Sequence, residues 1–318
     1  MKSERLLSGL ATMAGSAASN QVGAAVGAHA FPAIGPAGVV AVRQLVAAAV
    51  LLPVARPDPR RFSWAQWWPT LLLGLVFGTM NLSLYTAVDR VGLALAVTLE
   101  FLGPLSVALA GSRTRKDLLC AVGAGLGVYV LVLPDAASDW FGIGCGLVAA
   151  GCWAAYILLN RLVGARLPGL QAPAAATSVS CLLYLPVLLV LAGQGRLTAT
   201  ALLYAVGAGV LSSAVPYAAD LVALRWVPAR LFGVVMSLHP VFAAFAGLLL
   251  LGERLQTHEW LGMAVVVTVN IVTVTGTGVR RSPGRGSPAA AACTAGHGRD
   301  RPADYGRDPA ANHEVRTH

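Results

Sequence analysis

Long apolar stretches separated by short polar segments fill the first 279 residues of the chain. Each stretch is close to the roughly 20 apolar residues that an α-helix needs to cross a bilayer. The stretches lie at residues 6–29, 35–55, 67–89, 91–112, 117–134, 141–163, 171–193, 199–225, 228–252 and 258–279. The pattern therefore predicts an all-α integral membrane protein with ten transmembrane helices, numbered below as spans 1 to 10.

Small and polar side chains recur at every third or fourth position within several spans, which places them on one helix face. Such stripes contain Ser8, Thr12, Ser16 and Asn20 in span 1, Gly74, Gly78, Asn81 and Tyr85 in span 3, and Ser213, Tyr217 and Asp220 in span 8. The stripes fit either close helix packing or the lining of a water-filled cavity. We favour packing for the glycine and serine positions. For Asn20, Asn81 and Tyr85 we favour the cavity, because polar groups facing lipid would lack hydrogen-bond partners.

Two charged side chains lie near the middle of predicted spans, Glu100 in span 4 and Arg43 in span 2. Counting from the outer ends of the spans puts both, with Asn20 and Asn81, roughly 12–14 Å below the outer surface. Charges at this depth are costly, face the bundle interior and mark functional sites. Arg43 can hold a substrate carboxylate while Glu100 accepts an ammonium group or a proton; alternatively, the two residues form a fixed pair that only joins spans 2 and 4. His239, midway along span 9, adds a titratable group; alternatively, it only satisfies the backbone group that the neighbouring Pro240 leaves without a donor.

The two halves of the membrane region resemble each other. A shift of 136 positions aligns residues 96–111 with 232–247 and superimposes Pro104 on Pro240. Because each half holds an odd number of spans, the second half enters the membrane upside down relative to the first, as in many secondary transporters. The resulting inverted five-helix repeats comprise residues 6–134 and 141–279. Each proline is expected to kink its helix, because it removes a backbone donor.

Composition excludes most classes of soluble protein. The chain is 56% hydrophobic and 12% charged, against about 25% charged residues in soluble domains, and its mean hydropathy is +0.68. No nucleotide-binding, protease or hydrolase signature is present. The five cysteines show no metal-ligand or disulfide spacing. We therefore expect neither an enzyme nor a bound cofactor or metal.

The basic residues predict the orientation of the chain in the membrane. With the N-terminus in the cytoplasm, the N-terminal segment and the inner loops hold twelve Lys and Arg residues and the outer loops hold three. This positive-inside pattern places both termini in the cytoplasm. Residues 280–318 are rich in Gly, Pro, Ala and Arg and lack an apolar face, so we interpret them as a disordered cytoplasmic tail. The formal net charge of +9 therefore requires no nucleic-acid partner.

Two regions of the sequence resemble the EamA-type drug/metabolite transporters. The first reads GTMNLSLYTAVDRVGLA and AVTLEFLGPLSVALAGSR at residues 78–94 and 96–113; the second reads PARLFGVVMSLHPVFAAFAGLLLLGERL at 228–255 and includes the Gly-Glu pair typical of the family at 252–253. Within the family, the resemblance is to the threonine/homoserine exporter branch. It implies ten helices in two inverted repeats around a central cavity, located in the inner (plasma) membrane. It further implies proton-driven efflux of small amino acids, with Asn81 and Glu100 in the site.

Three functional interpretations fit these observations. The first is a proton-coupled exporter of a small amino acid, whose partners are that substrate, the proton and the bilayer. The second keeps the fold but changes the substrate to another metabolite or a lipophilic cation, although Arg43 favours a zwitterion. The third is a non-transporting membrane scaffold or receptor that uses the tail as its interaction element. A homodimer is compatible with all three.

Overall fold

Helices are the only regular elements in the part of the chain that the structure describes. The computed structural model describes residues 2–58, 60, 62–110, 115–133, 139–167, 171–216, 219 and 235–277. All of these belong to one unit, Met1–Pro283. The predicted tail at 280–318, and Tyr217 and Asp220 of the span 8 stripe, lie outside the described residues. The all-α prediction is confirmed for the described part of the chain.

The helices follow the predicted spans in order. They are α1 (Lys2–Ala28), α2 (Phe31–Ala55), α3 (Trp64–Val91), α4 (Leu93–Glu100), α5 (Leu102–Ala110), α6 (Arg115–Val132), α7 (Trp140–Gly164), α8 (Gln171–Gly193), α9 (Ala199–Gly209), α10 (His239–Ala246) and α11 (Thr257–Thr277). A π-helical turn follows α9 at Val210–Ala214, and another follows α10 at Gly247–Leu251.

Five described helical stretches are long and apolar enough to cross a membrane by length and composition. They are Phe31–Ala55, Trp64–Val91, Leu93–Ala110, Trp140–Gly164 and Gln171–Gly193. Shorter apolar helices occur at Leu118–Val132, Ala199–Ser213 and His239–Leu251. The count of ten spans therefore stays a prediction.

Span 4 is interrupted at mid-length instead of forming one continuous helix. α4 ends at Glu100, Phe101 forms a turn, and α5 follows. Pro104 explains the position of the break, because proline has no N–H to donate to the carbonyl four residues earlier and its ring clashes with that carbonyl. The arrangement recurs in span 9, where turn residues 237–238 precede α10 and Pro240 occupies its first turn. Each proline thus lies close to an interruption of its helix, and the first interruption places Glu100 at a helix end; the kinks themselves stay a prediction.

Helices of the first half pack against helices of the second half throughout the bundle. α3 contacts α7 and α8, α2 contacts α8 and α9, and α1 contacts α9 and α10. α4 packs against α7 and α10, and α6 packs against α11. The depth at which the sequence predicts polar groups is consequently bordered by helices from both halves.

A solvent-accessible ion pair joins the end of α3 to the start of α7. Arg90 Nη1 donates to Asp139 Oδ2 at 3.0 Å, and Asp139 Oδ1 accepts from the backbone N–H of Gly142 at 2.9 Å. The Gly142 N–H and the Arg90 guanidinium hold the pKa of the Asp139 carboxyl below its ordinary value. As the N-cap of α7, Asp139 stabilises the start of this helix and links it to α3.

Candidate functional site

The guanidinium of Arg43 is held by groups from α3 and from the π-helical turn after α9. Its Nη1 donates to Tyr85 Oη at 3.3 Å, its Nη2 to the Ser212 carbonyl at 3.3 Å, and its Nε to Ser213 Oγ at 3.5 Å. The guanidinium carbon also lies 5.5 Å from the centre of the Tyr85 ring. These three residues therefore hold the permanent positive charge of Arg43 between spans 2, 3 and 8.

Glu100 is buried at the C-terminal end of α4, with 6% of its surface exposed. Within the described part of the chain it forms neither a hydrogen bond nor an ion pair, although the charge of Arg43 acts on it through space. The fixed Arg43–Glu100 pair, one of the two alternatives that the sequence left open, is absent from this conformation. Arg43 is instead bonded to α3 and to the π-helical turn, and Glu100 lies apart from these bonds.

The π-helical turn Val210–Ala214 also joins span 8 to α1. Ser212 Oγ donates to the Asn20 carbonyl at 2.9 Å, and Ser19 Oγ donates to the Leu211 carbonyl at 2.8 Å. Gly23 permits this approach, because a Cβ there would lie 2.8 Å from both Leu211 Cβ and the Ser212 backbone nitrogen. Single π-helical turns are rare and occur frequently at functional sites. No feature of the sequence pattern predicted this one.

His239, in the second half of the chain, packs against Phe101 at the α4–α5 break. Its Nδ1 lies 2.9 Å from Gln21 Nε2 of α1. Its ring stacks on Phe101, with centroids 5.9 Å apart, and Phe101 in turn meets Trp153 edge-on at 5.2 Å. The residue after Glu100 is thereby held between helices α7 and α10.

The two predicted amides play different parts. Asn81 is 2% exposed, and its Nδ2 donates to the Phe77 carbonyl of its own helix at 2.8 Å. Asn20 takes part through its backbone carbonyl, and its side chain is half-buried. Of the predicted site residues, the structure thus brings Arg43 into direct contact with Tyr85, while Asn81 bonds within α3.

The described residues thus contain a set of polar groups from both halves at, next to or in contact with the positions for which the sequence predicts mid-membrane depth. We call it the mid-membrane cluster, comprising Asn20, Gln21, Arg43, Tyr85, Glu100, Ser212, Ser213 and His239. The sequence analysis gave Gln21 and Ser212 no role in the site, since the position of a residue along one helix does not show which residues of other helices it meets. No group of His, Cys, Asp and Glu side chains within the described residues could hold a metal ion.

Glu253 is a third residue to which the sequence analysis gave no physical role. Its carboxylate accepts from the backbone N–H of Leu93 at 2.6 Å and of Ala94 at 3.4 Å, so it caps α4 from the far end of the chain. Gly92 and Gly247 leave room for the carboxylate, because a Cβ at either position would press against it. The Gly-Glu pair at 252–253 was the available signal, and its physical task is to satisfy the first N–H groups of the helix that ends at Glu100.

Replacing Glu253 by alanine should lower the free energy of unfolding by about 1–2 kcal/mol, since an N-cap acceptor is worth about that much. Glu253→Gln keeps one acceptor oxygen and should lose less. The measurement is the thermal unfolding midpoint of purified protein in detergent. Asp89→Ala serves as the control, because Asp89 is an exposed carboxyl near the end of α3. Equal midpoints for Glu253→Ala and the wild type would show that the cap does not stabilise α4.

Comparison with known proteins identifies relatives of this chain. The EamA-like transporter family matches residues 140–275. The threonine/homoserine exporter RhtA of Salmonella typhimurium strain LT2 is 35% identical over 269 residues, covering 83% of this chain and 90% of the relative. RhtA of Escherichia coli strain K12 is 34% identical over 257 residues, covering 80% and 87% respectively.

A solved crystal structure shares the fold. It superposes with a TM-score of 0.54 at 16% sequence identity, over 88% of this chain and 99% of that chain. At this identity the likeness concerns the helical architecture alone. The mid-membrane cluster therefore rests on the contacts of this chain.

Proposed function

We propose, from the premise that this chain belongs to the EamA-like transporter family, that it exports small amino acids of the threonine and homoserine kind by secondary active transport. The chain is a multi-pass membrane transporter and not an enzyme. The relatives that cover most of its length are named threonine/homoserine exporters. The observation that carries the substrate class is the separation of Arg43 from Glu100, which leaves both charges available to one zwitterion.

The C-terminal end of α4 is a favourable site for the ammonium group of such a zwitterion. Glu100 terminates α4, and the C-terminal end of a helix attracts positive charge. An α-ammonium group placed there meets both the carboxylate and the helix end. Arg43 stays ionised and presents a planar fork that matches a carboxylate. A lipophilic cation would gain nothing from Arg43 and would be repelled by it, so this alternative is disfavoured.

Glu100 is also the proposed carrier of the coupling proton. It is buried and has no hydrogen bond to any described residue that would fix its protonation state. Bilayer-embedded carboxyls are common members of proton relays in transporters. Proton binding from the outside and amino-acid binding from the inside would then alternate at one carboxyl.

The helix contacts support the ten-span, inverted-repeat architecture with boundaries at 6–134 and 141–279. Exchange of the halves relates α1 to α7, α2 to α8, α3 to α9, α4 with α5 to α10, and α6 to α11. Under this exchange each observed contact corresponds to another observed contact. The α3–α7 contact corresponds to α9–α1, α3–α8 to α9–α2, and α4–α7 to α10–α1. It leaves the pairs α2–α8, α4–α10 and α6–α11 unchanged. With the positive-inside pattern, this arrangement puts both termini on the cytoplasmic side of the inner membrane.

The proposal predicts counterflow of labelled threonine or homoserine in proteoliposomes that contain the purified protein. A pH gradient that drives protons in the direction opposite to the substrate should accelerate net transport of the substrate. A panel of labelled amino acids, a sugar and a lipophilic cation tests the substrate class. Counterflow of the cation but of no amino acid would contradict the proposal.

Deletion of residues 281–318 should leave counterflow intact, whereas a receptor that acts through its tail would lose its function.

A further inference from the structure

The ring of His239 has one nitrogen in use and one without a partner. Nδ1 lies 2.9 Å from Gln21 Nε2, and an amide nitrogen can only donate, so Nδ1 accepts and carries no proton. The proton of the neutral ring is therefore on Nε2. That atom is buried and has no hydrogen-bond partner among the residues that the structure describes. His239 itself is 6% exposed.

A buried hydrogen-bond donor without an acceptor is unusual in a folded protein. Buried polar groups are almost always hydrogen-bonded, because leaving one unpaired costs most of its hydration free energy. The ring is not free to turn toward another acceptor, since Gln21 holds one edge and Phe101 stacks on one face. Gln21 and Phe101 come from the first half of the chain and His239 from the second. The donor thus stands at a junction of the two halves, next to the helix break that follows Glu100.

We infer that His239 Nε2–H donates to the side-chain hydroxyl oxygen of the transported amino acid and thereby selects hydroxy amino acids, with Gln21 as the positioning residue that fixes the tautomer. The inference rests on the proposed function and specifies how that site reads its substrate. Arg43 and Glu100 carry charges that match the carboxylate and the ammonium group. The neutral Nε2–H donor of His239 matches a neutral oxygen.

Valine is the matched probe for this inference, because it has the shape of threonine with a methyl group in place of the hydroxyl. A site that hydrogen-bonds a substrate hydroxyl rejects the analogue that lacks it, since the buried donor then stays unpaired. Wild-type protein should therefore prefer threonine over valine by about tenfold or more in counterflow. The ratio of the two rates, and not the absolute rate, measures the contact.

Two substitutions of His239 separate its two nitrogens. The amide nitrogen of Gln in His239→Gln can replace the Nε2 donor, and this variant should keep most of the threonine-to-valine ratio. The shorter Asn in His239→Asn reaches only the position of Nδ1, so the ratio should fall toward 1 while valine transport persists. Gln21→Leu, of similar volume, releases the tautomer and should lower the ratio by an intermediate amount. Thermal unfolding midpoints establish that each variant is folded.

A second measurement does not depend on the variants being folded. Solid-state ¹⁵N NMR of the histidine-labelled wild-type protein should show a neutral His239 protonated on Nε2, with a resonance that shifts on adding threonine but not valine. An unchanged threonine-to-valine ratio in His239→Asn, or a proton on Nδ1 in the wild type, would overturn this inference alone. A wild-type protein that transports neither amino acid would overturn the proposed function and this inference with it.

Discussion

Glu100→Gln should abolish transport driven by a pH gradient while leaving the protein folded in the membrane. Glutamine has nearly the same size as glutamate but cannot release or bind the coupling proton. Because Glu100 forms no hydrogen bond with a described residue, the substitution breaks no structural contact. The interaction of its charge with a substrate ammonium group is worth about 1.5–3 kcal/mol, and its loss corresponds to about a 10- to 150-fold lower rate. The measurement is gradient-driven transport of threonine in proteoliposomes.

Counterflow without a pH gradient distinguishes the two roles of the carboxyl. If Glu100 carries only the proton, Glu100→Gln keeps counterflow and loses the response to the gradient. If it also binds the ammonium group, both activities fall together. Glu259→Gln is the matched control, since Glu259 lies at the start of α11 away from the cluster. Wild-type rates for Glu100→Gln at every pH would remove Glu100 from the mechanism.

Gly103→Ala should destabilise the protein and lower its amount in the membrane. Gly103 lies in α5, two residues after the break, and packs directly on the backbone of α7. A Cβ at this position would overlap the carbonyl oxygen of Ala150 and lie 3.1 Å from Trp153 Cβ. Backbone atoms cannot move aside by changing a side-chain rotamer, so α5 would have to shift. Overpacking of this kind costs about 1–3 kcal/mol, measurable as a lower unfolding midpoint and a lower yield.

Gly151→Ala is the control for that prediction, because it changes the next residue along α7 from Ala150. No described atom lies within 4 Å of the position that a Cβ would take at Gly151. Alanine is favoured over glycine in a helix by up to about 1 kcal/mol, so Gly151→Ala should be neutral or stabilising. The same Gly-to-Ala substitution is therefore expected to change the free energy of unfolding in opposite directions at two positions on facing helices. A stabilising effect of Gly103→Ala would contradict the close contact between α5 and α7.

Much of the fold follows from short-range patterns in the chain. The lengths of the apolar stretches predict the helices, and the rise per residue predicts that Arg43 and Glu100 share a depth. Pro104 and Pro240 predict local distortions of their helices, because the missing N–H acts on a carbonyl only four residues away. The resemblance to EamA-type transporters, carried by two segments, is confirmed by relatives that cover most of the chain. All these inferences depend on distances along the chain or along one helix axis.

The contacts within the mid-membrane cluster could not be predicted in this way. Depth does not determine rotation about a helix axis, and rotation decides which neighbours a side chain meets. Arg43 accordingly pairs with Tyr85 and the turn after α9 rather than with Glu100. Asn81 returns its amide to its own helix. Both outcomes depend on how neighbouring helices are turned, and no periodicity within a single span encodes that.

Apolar length, polar depth and proline position, each a property of one segment, could thus be inferred from the residues alone. The partners of the functional groups could not. Gln21 meets His239 across 218 positions of sequence, and Glu253 caps Leu93 across 160. Such pairs form because the two halves of the bundle pack against each other, burying polar groups that must then find partners across the interface. Folding of the whole bundle therefore determines which of the polar groups are paired with each other and which are not.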